Sequence, residues 1–227
     1  YPATNAFYST GKNKSQLFSV CHSQKIDSTW SFTIDYDIID YTGLYENQRA
    51  NHSLFSGYVI RKPIDNKYSF VAGATMNKIS QKENGGLKNL NQFQDTVEYD
   101  RMLAQVNILS AERIYKENEV FVKQFYSLTK QNSKFPVYIG HNFVFETKKN
   151  MFIDESPDYS YYPAIFIDSI KTLDSTYFRV FSNTLTISNY LPFDSITKNI
   201  IYHLSAQKQN ALLGNIEEKS KYNRTKF

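Results

Sequence analysis

Apolar and polar residues alternate strictly along the segment from Thr29 to Tyr41. Successive side chains of a β-strand point to opposite faces of a sheet, so a period of two predicts a strand with one apolar and one polar face. The apolar positions are Trp30, Phe32, Ile34, Tyr36 and Ile38, and the polar positions are Thr29, Ser31, Thr33, Asp35 and Asp37. Two kinds of protein contain such strands: a soluble β-sandwich, and a membrane barrel whose strands face lipid on one side and a wet lumen on the other.

Seven further segments carry the signs of strands, whereas helix signals are scarce. Apolar residues fall on alternate positions within them, and turn residues separate them. They are Leu17–Gln24, Leu54–Lys62, Lys67–Lys78, a strand around Val120–Leu128, another around Val137–Phe145, one from about Tyr177 to Tyr190, and one from about Thr197 through Tyr202 to Ala206. With the first segment they predict an all-β fold of about eight strands in four hairpins.

The predicted connections between these strands alternate between short and long. The short ones, residues 25–28, 63–66, 131–134 and 192–195, contain Pro, Asp, Asn or Ser, which favour tight turns. The long ones are residues 43–52, 79–118, 148–176 and the tail after residue 207. Outer-membrane barrels have short periplasmic turns and long external loops. The asymmetry therefore favours an antiparallel up-and-down transmembrane β-barrel over a sandwich.

The longest predicted loop is expected to have structure of its own, because a loop of this length without internal order is uncommon. Met102–Ala104 and Ile108–Leu109 favour a short helix within residues 92–117. We expect this loop to lie over the mouth of the barrel or to fold into it.

Composition adds three constraints. The chain has 18 Tyr and 17 Phe but one Trp, and tyrosine suits a boundary between apolar and wet surroundings. The net charge of +4 is spread along the chain and is too weak to indicate nucleic-acid binding. No apolar run in the sequence approaches the roughly 20 residues of a spanning helix, and a single cysteine, Cys21, excludes an internal disulfide framework.

Several short peptides carry a resemblance through their order and spacing. They are Gln16–Val20 with His22–Gln24, Gly43–Gln48 leading to Asn51–Ser53, Glu83–Leu87, Val106–Ile108 before Ala111, Glu155–Asp158, and Asp174–Arg179 running into Ser188–Asn189. Over roughly residues 7–190 the chain resembles the putative porin family of Bacteroidota outer membranes. The resemblance implies an outer-membrane β-barrel with a pore, no catalytic residues, and solutes that the family does not define.

The end of the sequence departs from this family, whose members are much longer. Asn210–Gly214 looks like the start of another strand, and Lys221–Lys226 is polar and does not alternate as a closing strand would. We therefore expect residues 1–227 to form a single barrel region that is truncated at its C-terminal end. Unpaired backbone groups cost several kcal/mol each in lipid, so the remaining strands must come from the rest of the chain or from a partner.

The alternation also assigns side chains to the two faces of the barrel wall. The predicted lumen-facing, pore-lining residues are Thr29, Ser31, Thr33, Asp35, Asp37, Gly73, Thr75 and Asn77. The predicted lipid-facing residues are Phe32, Ile34, Tyr36, Phe70 and Ala72. For the aromatic girdles we predict Trp30 on the periplasmic side, and Tyr41, Tyr45, Tyr161 and Tyr162 on the external side.

The sequence contains no clear catalytic or metal-binding signature. Asp35 and Asp37 are compatible with an acid/base pair, a charged ring in a lumen or simple solvation, and we favour the wet wall of a barrel. The four histidines fall at no metal-ligand spacing, and the cluster Asp154, Glu155 and Asp158 lacks the rest of a calcium loop. Glu83–Gly86 favours a turn over a phosphate-binding loop. We predict a protein that is not an enzyme and has no cofactor or metal.

Three functions fit this sequence. The first is passive diffusion of small polar solutes through the outer membrane of a Gram-negative bacterium. The second is a non-conducting barrel that acts as a structural or scaffold subunit of a larger outer-membrane protein complex. The third is a soluble extracellular β-sandwich that binds carbohydrate, against which the loop lengths argue. The expected partners are outer-membrane lipid, small polar solutes, and other outer-membrane proteins or further copies of the chain, but no nucleic acid.

Overall fold

In the part of the chain that the structure describes, ten antiparallel β-strands form one sheet, in the order in which they occur in the sequence. The computed structural model describes residues 2–63, 67–89, 101–129, 133, 136–158, 160–162, 172–189, 203–215 and 219–226. The strands are β1 (Ala3–Thr10), β2 (Gln16–Lys25), β3 (Trp30–Tyr41), β4 (Ala50–Arg61), β5 (Tyr68–Glu83), β6 (Ala111–Ser127), β7 (Tyr138–Asp154), β8 (Thr172–Ser188), β9 (His203–Asn215) and β10 (Lys219–Lys226). Each strand pairs with its neighbours in sequence, so the sheet is the all-β up-and-down meander that the alternation predicted.

Helical structure is confined to short turns in the described part of the chain. Lys12–Lys14 and Arg101–Leu103 each form a single 3-10 turn. No helix within the described ranges is long and apolar enough to cross a membrane. The short helix expected near Met102 is therefore present as the second of these turns, whereas Ile108–Leu109 is not helical.

The sheet has two strands more than the eight that were predicted. β1 carries its aromatic residues, Phe7 and Tyr8, next to each other, and β10 is almost entirely polar, so neither shows a clear period of two. Asn210–Gly214, which was expected to begin a new strand, belongs to the second half of β9. The backbone of β10 pairs with β9 from Lys219 to Lys226, and pairing rather than side-chain pattern identifies it.

Strands β5 to β8 extend into stretches that were predicted to be loops. β5 continues to Glu83 and pairs there with Ala111 at the start of β6, while Asp154 at the end of β7 pairs with Thr172 at the start of β8. Hydrogen bonds between neighbouring strands maintain the ladder where the side chains cease to alternate. The loops that remain are shorter than predicted and comprise residues 84–110 and 155–171.

The predicted contrast between the two ends of the sheet holds only for the connections between β2 and β8. At one end, which we call the long-loop end, lie the connections 42–49, 84–110 and 155–171, and at the other lie 26–29, 62–67 and 128–137. The last two connections reverse this contrast. The connection 216–218, at the long-loop end, is shorter than 189–202 at the other end. The predicted turn at 192–195, and parts of those at 63–66 and 131–134, lie outside the described residues.

Asp27 builds the tight turn between β2 and β3. Its Oδ1 accepts hydrogen bonds from the backbone N–H of Thr29 (2.6 Å) and of Trp30 (2.8 Å), and from the hydroxyl of Thr29 (2.9 Å). An aspartate side chain that bonds the backbone two residues ahead imitates a backbone turn. β3 therefore begins at Trp30, and Thr29 belongs to the turn rather than to the strand.

The strand register gives the sheet two different faces. We call the face that carries Asp35 the inner face and the face that carries Ile34 the outer face. The buried strand side chains that the structure describes all lie on the inner face: Ser69, Val71, Ala111, Asp154, Thr172, Val180, Ser182, Ser188 and Ala211. Most of the exposed large apolar strand residues lie on the outer face, including Phe18, Ile34, Ile38, Phe55, Met76, Val120, Phe181 and Leu185. The side chains of the inner face are thus better covered than those of the outer face.

Candidate functional site

A row of polar side chains crosses the middle of the inner face. The register pairs Asp35 with Ser56, Ser56 with Thr75, Thr75 with Glu119, and Glu119 with Glu146. Directly paired residues on one face of an antiparallel sheet have Cβ atoms only about 4.5–5.5 Å apart. Five consecutive strands, β3 to β7, therefore present one continuous polar band, three of whose members are carboxylates.

A second row lies beside the first on the side of the long-loop end. Here Asp37 pairs with Leu54, Leu54 with Asn77, Asn77 with Glu117, and Glu117 with Lys148. Together the two rows contain five carboxylates and one lysine. The inner face is consequently acidic at this level.

The single lysine of these rows is shared by two acids. Lys148 Nζ lies 3.0 Å from Glu117 Oε1 and 2.7 Å from Glu146 Oε1. The hydroxyl of Tyr115 donates a second hydrogen bond to Glu117 at 3.1 Å. Glu119 has no ion pair or hydrogen bond with any other side chain that the structure describes. Its charge is therefore not neutralised within the wall.

Such an arrangement can attract cations. Charged side chains along a confined wall raise the local concentration of counter-ions and set ion preference in channels. In the described part of the chain, no group of three or more His, Cys, Asp and Glu side chains is placed to hold a metal ion.

The predicted site residues separate cleanly between the two faces. Those predicted to line a lumen share the inner face: Ser31, Thr33, Asp35, Asp37, Gly73, Thr75 and Asn77. Thr29 is the exception, since it lies in the turn before β3. Those predicted to face lipid share the outer face: Phe32, Ile34, Tyr36, Phe70 and Ala72.

The predicted girdle residues do not share a face. Trp30 lies on the outer face at the start of β3, where its ring meets Phe70 edge-on at 5.4 Å and the guanidinium of Arg61 lies 5.9 Å from its centroid. Tyr41 ends the same strand on the inner face, because eleven residues separate it from Trp30 and the faces alternate. Tyr45 lies in the connection 42–49. The side chain of a girdle residue points outward. Tyr41 lies on the inner face, so it does not have the orientation that was predicted for it, whereas Trp30 does.

Gly73 leaves room for two aromatic side chains on the inner face. It pairs with Tyr58 on one side and with Phe121 on the other. A Cβ at this position would lie 2.8 Å from the carbonyl oxygen of Gly57, from Phe121 Cζ and from Tyr58 Cβ. A glycine inside a strand often marks such a close approach. The aromatic rings thus occupy the space that the missing side chain leaves.

Sequence reasoning missed three of the five carboxylates in the two polar rows, Glu117, Glu119 and Glu146. Glu117 and Lys148 fell within predicted loops, and Glu119 and Glu146 lay next to the predicted strand ends. The signal that could have found two of them is the alternation of Tyr115, Glu117, Glu119 and Phe121 along β6.

The connections at the long-loop end are tied to one another. Asn47 Nδ2 donates to the carbonyl of Glu83 at 2.8 Å, and Asn107 Nδ2 donates to the carbonyl of Gly85 at 2.8 Å. The hydroxyl of Tyr161 also donates to Gly85, at 3.1 Å. We call the described residues of 42–49, 84–110 and 155–162 the loop cluster. It joins three connections that are far apart in sequence, and three of its apolar residues are buried: Ala104, Val106 and Ile108.

Hydrogen bonds with residues of the loop cluster engage two of the three acids that were considered as a calcium site, Asp154 and Asp158. Asp154 is fully buried and accepts hydrogen bonds from the hydroxyls of Ser110 and, at 2.7 Å, Tyr162. Asp158 Oδ1 accepts from the hydroxyl and the backbone N–H of Ser160 at 2.6 and 2.8 Å, and these bonds hold the pKa of Asp158 below its usual range.

Glu83–Gly86 forms the turn that was predicted for it. Asn84 Oδ1 accepts a hydrogen bond from the backbone N–H of Gly86 at 3.0 Å. Gly85 and Gly86 have φ angles of 65° and 84°, which glycine adopts without steric cost. The segment therefore ends β5 and starts the loop cluster.

Comparison with known protein families gives a match over essentially the whole chain. The sequence model of the family described as "Putative porin" matches residues 1–226, essentially the whole chain. No curated protein matches the chain significantly. This family implies an outer-membrane location and a porin-like, non-enzymatic role. The up-and-down sheet agrees with both. The chain belongs to the putative porin family.

Proposed function

We propose that the chain forms the wall of a passive diffusion channel for small polar solutes, and that this channel prefers cations. The observation that carries the proposal is the pair of carboxylate-rich rows that cross the inner face from Asp35 and Asp37 to Glu146. A channel wall needs polar groups that face water on several consecutive strands. The proposal is supported by the register, which brings polar residues to one face of β3 to β7.

The outer face supports the same function. Ile34 is 44% exposed, and Phe181 remains 42% exposed although its ring lies 4.5 Å from that of Phe145, measured between centroids. An outward apolar band about 25 Å high is the surface that outer-membrane barrels present to lipid. On this proposal the predicted lipid-facing residues contact lipid, and the predicted pore-lining residues of the strands face the lumen.

The test is the conductance of the full-length protein in a planar bilayer. We expect ohmic openings and, in a salt gradient, a reversal potential of the sign that marks cation preference. Glu119→Gln should reduce that preference without abolishing it, because four carboxylates remain in the two rows. Glu112→Gln removes the same charge from the outer face of the same strand and should leave the preference unchanged. A folded protein without openings, or equal effects of both substitutions, would contradict the proposal.

The loop cluster favours a second candidate, a structural barrel that binds partner proteins. Hydrogen bonds among distant connections make a defined surface at the long-loop end, and such surfaces serve for binding. A silent barrel that co-purifies reproducibly with other outer-membrane proteins, or with further copies of itself, would favour this function over diffusion.

A further inference from the structure

Basic residues line up on the outer face toward the long-loop end. Lys78, Lys116 and Lys149 occupy directly paired positions on β5, β6 and β7. Arg179 follows on β8, where its neighbour two residues earlier, Tyr177, pairs with Lys149. We call these four residues the basic belt. It extends across four consecutive strands.

The basic belt lies where the apolar part of the outer face ends. On β5 the outer-face residues from Tyr68 to Met76 are aromatic or apolar, and Lys78 follows directly. A strand rises about 3.3 Å per residue, so Tyr68 and Lys78 are about 33 Å apart along the strand. Tilting by 35–45° reduces this distance to about 25 Å, the height of the apolar band of an outer-membrane barrel. The belt therefore lies at the level of the lipid headgroups.

On the outer face, no acid of the described strands forms an ion pair with a member of the belt, although the charge of Glu112 acts on Lys78. Asp40 and Glu112 are the outer-face acids among the described strand residues, and both have partners already: Arg49 lies 2.6 Å from Asp40, and Lys82 lies 3.1 Å from Glu112. Like charges directly opposite each other destabilise a sheet. The paired lysines on β6 and β7 are thus a cost to folding that an external anion would remove.

A concavity lies between the basic side chains. Its volume is about 560 Å³, and its lining includes Lys116, Lys149 and Arg179 together with Asn118, Thr147 and Tyr177. These six all lie on the outer face. Cations therefore converge there with hydroxyl and amide groups that can donate hydrogen bonds to oxygen.

We propose that the basic belt binds the phosphate groups of a lipid headgroup in the external leaflet. The inference rests on the proposed function, in which the outer face contacts lipid and the long-loop end is external. Lysine acts on phosphate as a point charge, whereas the arginine fork matches it with two parallel hydrogen bonds. A phosphorylated glycolipid suits the site because its sugar hydroxyls meet the polar residues and its acyl chains continue along the apolar band.

The test uses the full-length protein in detergent and diphosphorylated lipid A as the probe, with bound lipid counted by native mass spectrometry. Each cation near an anionic surface is worth roughly fivefold in affinity, so the double variant Lys116→Gln, Lys149→Gln should bind lipid A roughly 30-fold more weakly. Its fold should be retained, because the substitutions remove a like-charge pair. Lipid A without phosphates should bind equally weakly to both proteins.

The control variant Lys12→Gln, Lys14→Gln removes two exposed charges from the connection between β1 and β2, at the same end of the sheet. It should bind lipid A as the unchanged protein does. Equal loss in both variants, no loss in either, or full displacement of the lipid by inorganic phosphate would overturn the inference. Conductance recorded from the same preparations separates the two proposals, since a conducting protein with unchanged lipid binding contradicts the lipid site alone.

Discussion

At Gly73 the inner face has no space for a side chain. We expect Gly73→Ala to lower the free energy of unfolding by about 1–3 kcal/mol, because a Cβ would collide with the backbone oxygen of Gly57 and overpacking has a cost of this order. Urea titration of the folded protein in detergent measures the change. Gly57→Ala is the matched control, since a Cβ at that position meets Phe55 at an ordinary 3.6 Å. Equal midpoints for the two variants would show that the aromatic pair adjusts freely.

The turn at Asp27 makes a contribution to stability that depends on pH. Hydrogen bonds from the backbone of Thr29 and Trp30 and from the hydroxyl of Thr29 hold the pKa of Asp27 below the ordinary value of 3.8. A carboxyl with a lowered pKa in the folded state stabilises above its unfolded pKa, and this stabilisation is lost as pH falls through the folded value. We therefore expect the urea concentration at the unfolding midpoint to decrease as the pH is lowered below about 3.8. The decrease should be smaller in Asp27→Asn. Identical pH profiles of the unchanged protein and Asp27→Asn would show that Asp27 does not contribute to the pH dependence of stability.

Residue types in the sequence were enough to place Asp35 and Asp37 on one face, because a period of two is a local property. They were not enough to show that Glu119 and Glu146 lie beside Asp35. That neighbourhood depends on the register of β3 to β7, and a shift of one residue in any strand would have moved the acid to the other face. Three of the five carboxylates in the two polar rows were thus recognised only once the strand pairing was known.

The two faces of β3 make opposite predictions for the same substitution. Ile34→Lys places a charge on the outer face and should hinder insertion by about 2–4 kcal/mol, the cost of lysine near the middle of the bilayer. Thr33→Lys places it on the inner face, between Ser23 and Tyr58, and should insert normally while shifting ion preference toward anions. Insertion into vesicles, followed by gel mobility without heating, distinguishes folded from unfolded protein. If both variants insert equally well, the assignment of the outer face to lipid is wrong.

At the scale of the strand, the sequence identified elements well where one face is apolar and poorly where both faces are polar. β3 and the core of β5 were recognised for the first reason, whereas β10 was missed for the second. The extensions of β7 to Asp154 and of β8 to Thr172 were also missed. Backbone pairing between the two strands stabilises them, and the sequence of either strand alone shows no alternation there. Hydrogen bonding to a neighbour is not a property of one segment.

At the scale of the molecule, the order of the strands followed from the sequence, but the contacts among the loops did not. Short connections force neighbouring strands to pair, which determines a meander. The bonds from Asn47 to Glu83 and from Tyr161 to Gly85 join residues far apart in the chain. Local sequence patterns do not predict such contacts, although these contacts hold the connections of the long-loop end together.

Tyr162 provides the test of whether the loop cluster controls access to the inner face. Partial burial and the hydrogen bond to Asp154 hold the pKa of Tyr162 well above its usual value, so its hydroxyl remains a donor near neutral pH. Tyr162→Phe deprives the buried carboxylate of one donor, which costs about 1–3 kcal/mol. We expect faster hydrogen exchange in residues 101–110 and 155–158, and more frequent changes of current in single-channel records.

Tyr41→Phe is the control for this substitution. It removes a hydroxyl from the same end of the sheet, and Tyr41 is 43% exposed. Exchange and current should therefore stay as in the unchanged protein. If Tyr162→Phe loosens the loops but leaves the current steady, the loop cluster lies beside the path of the solutes, and the long-loop end serves binding rather than gating. If exchange itself is unchanged, the hydroxyl of Ser110 and the backbone N–H of Ser156 satisfy Asp154 without Tyr162, and the bond from Tyr162 does not hold the loops together.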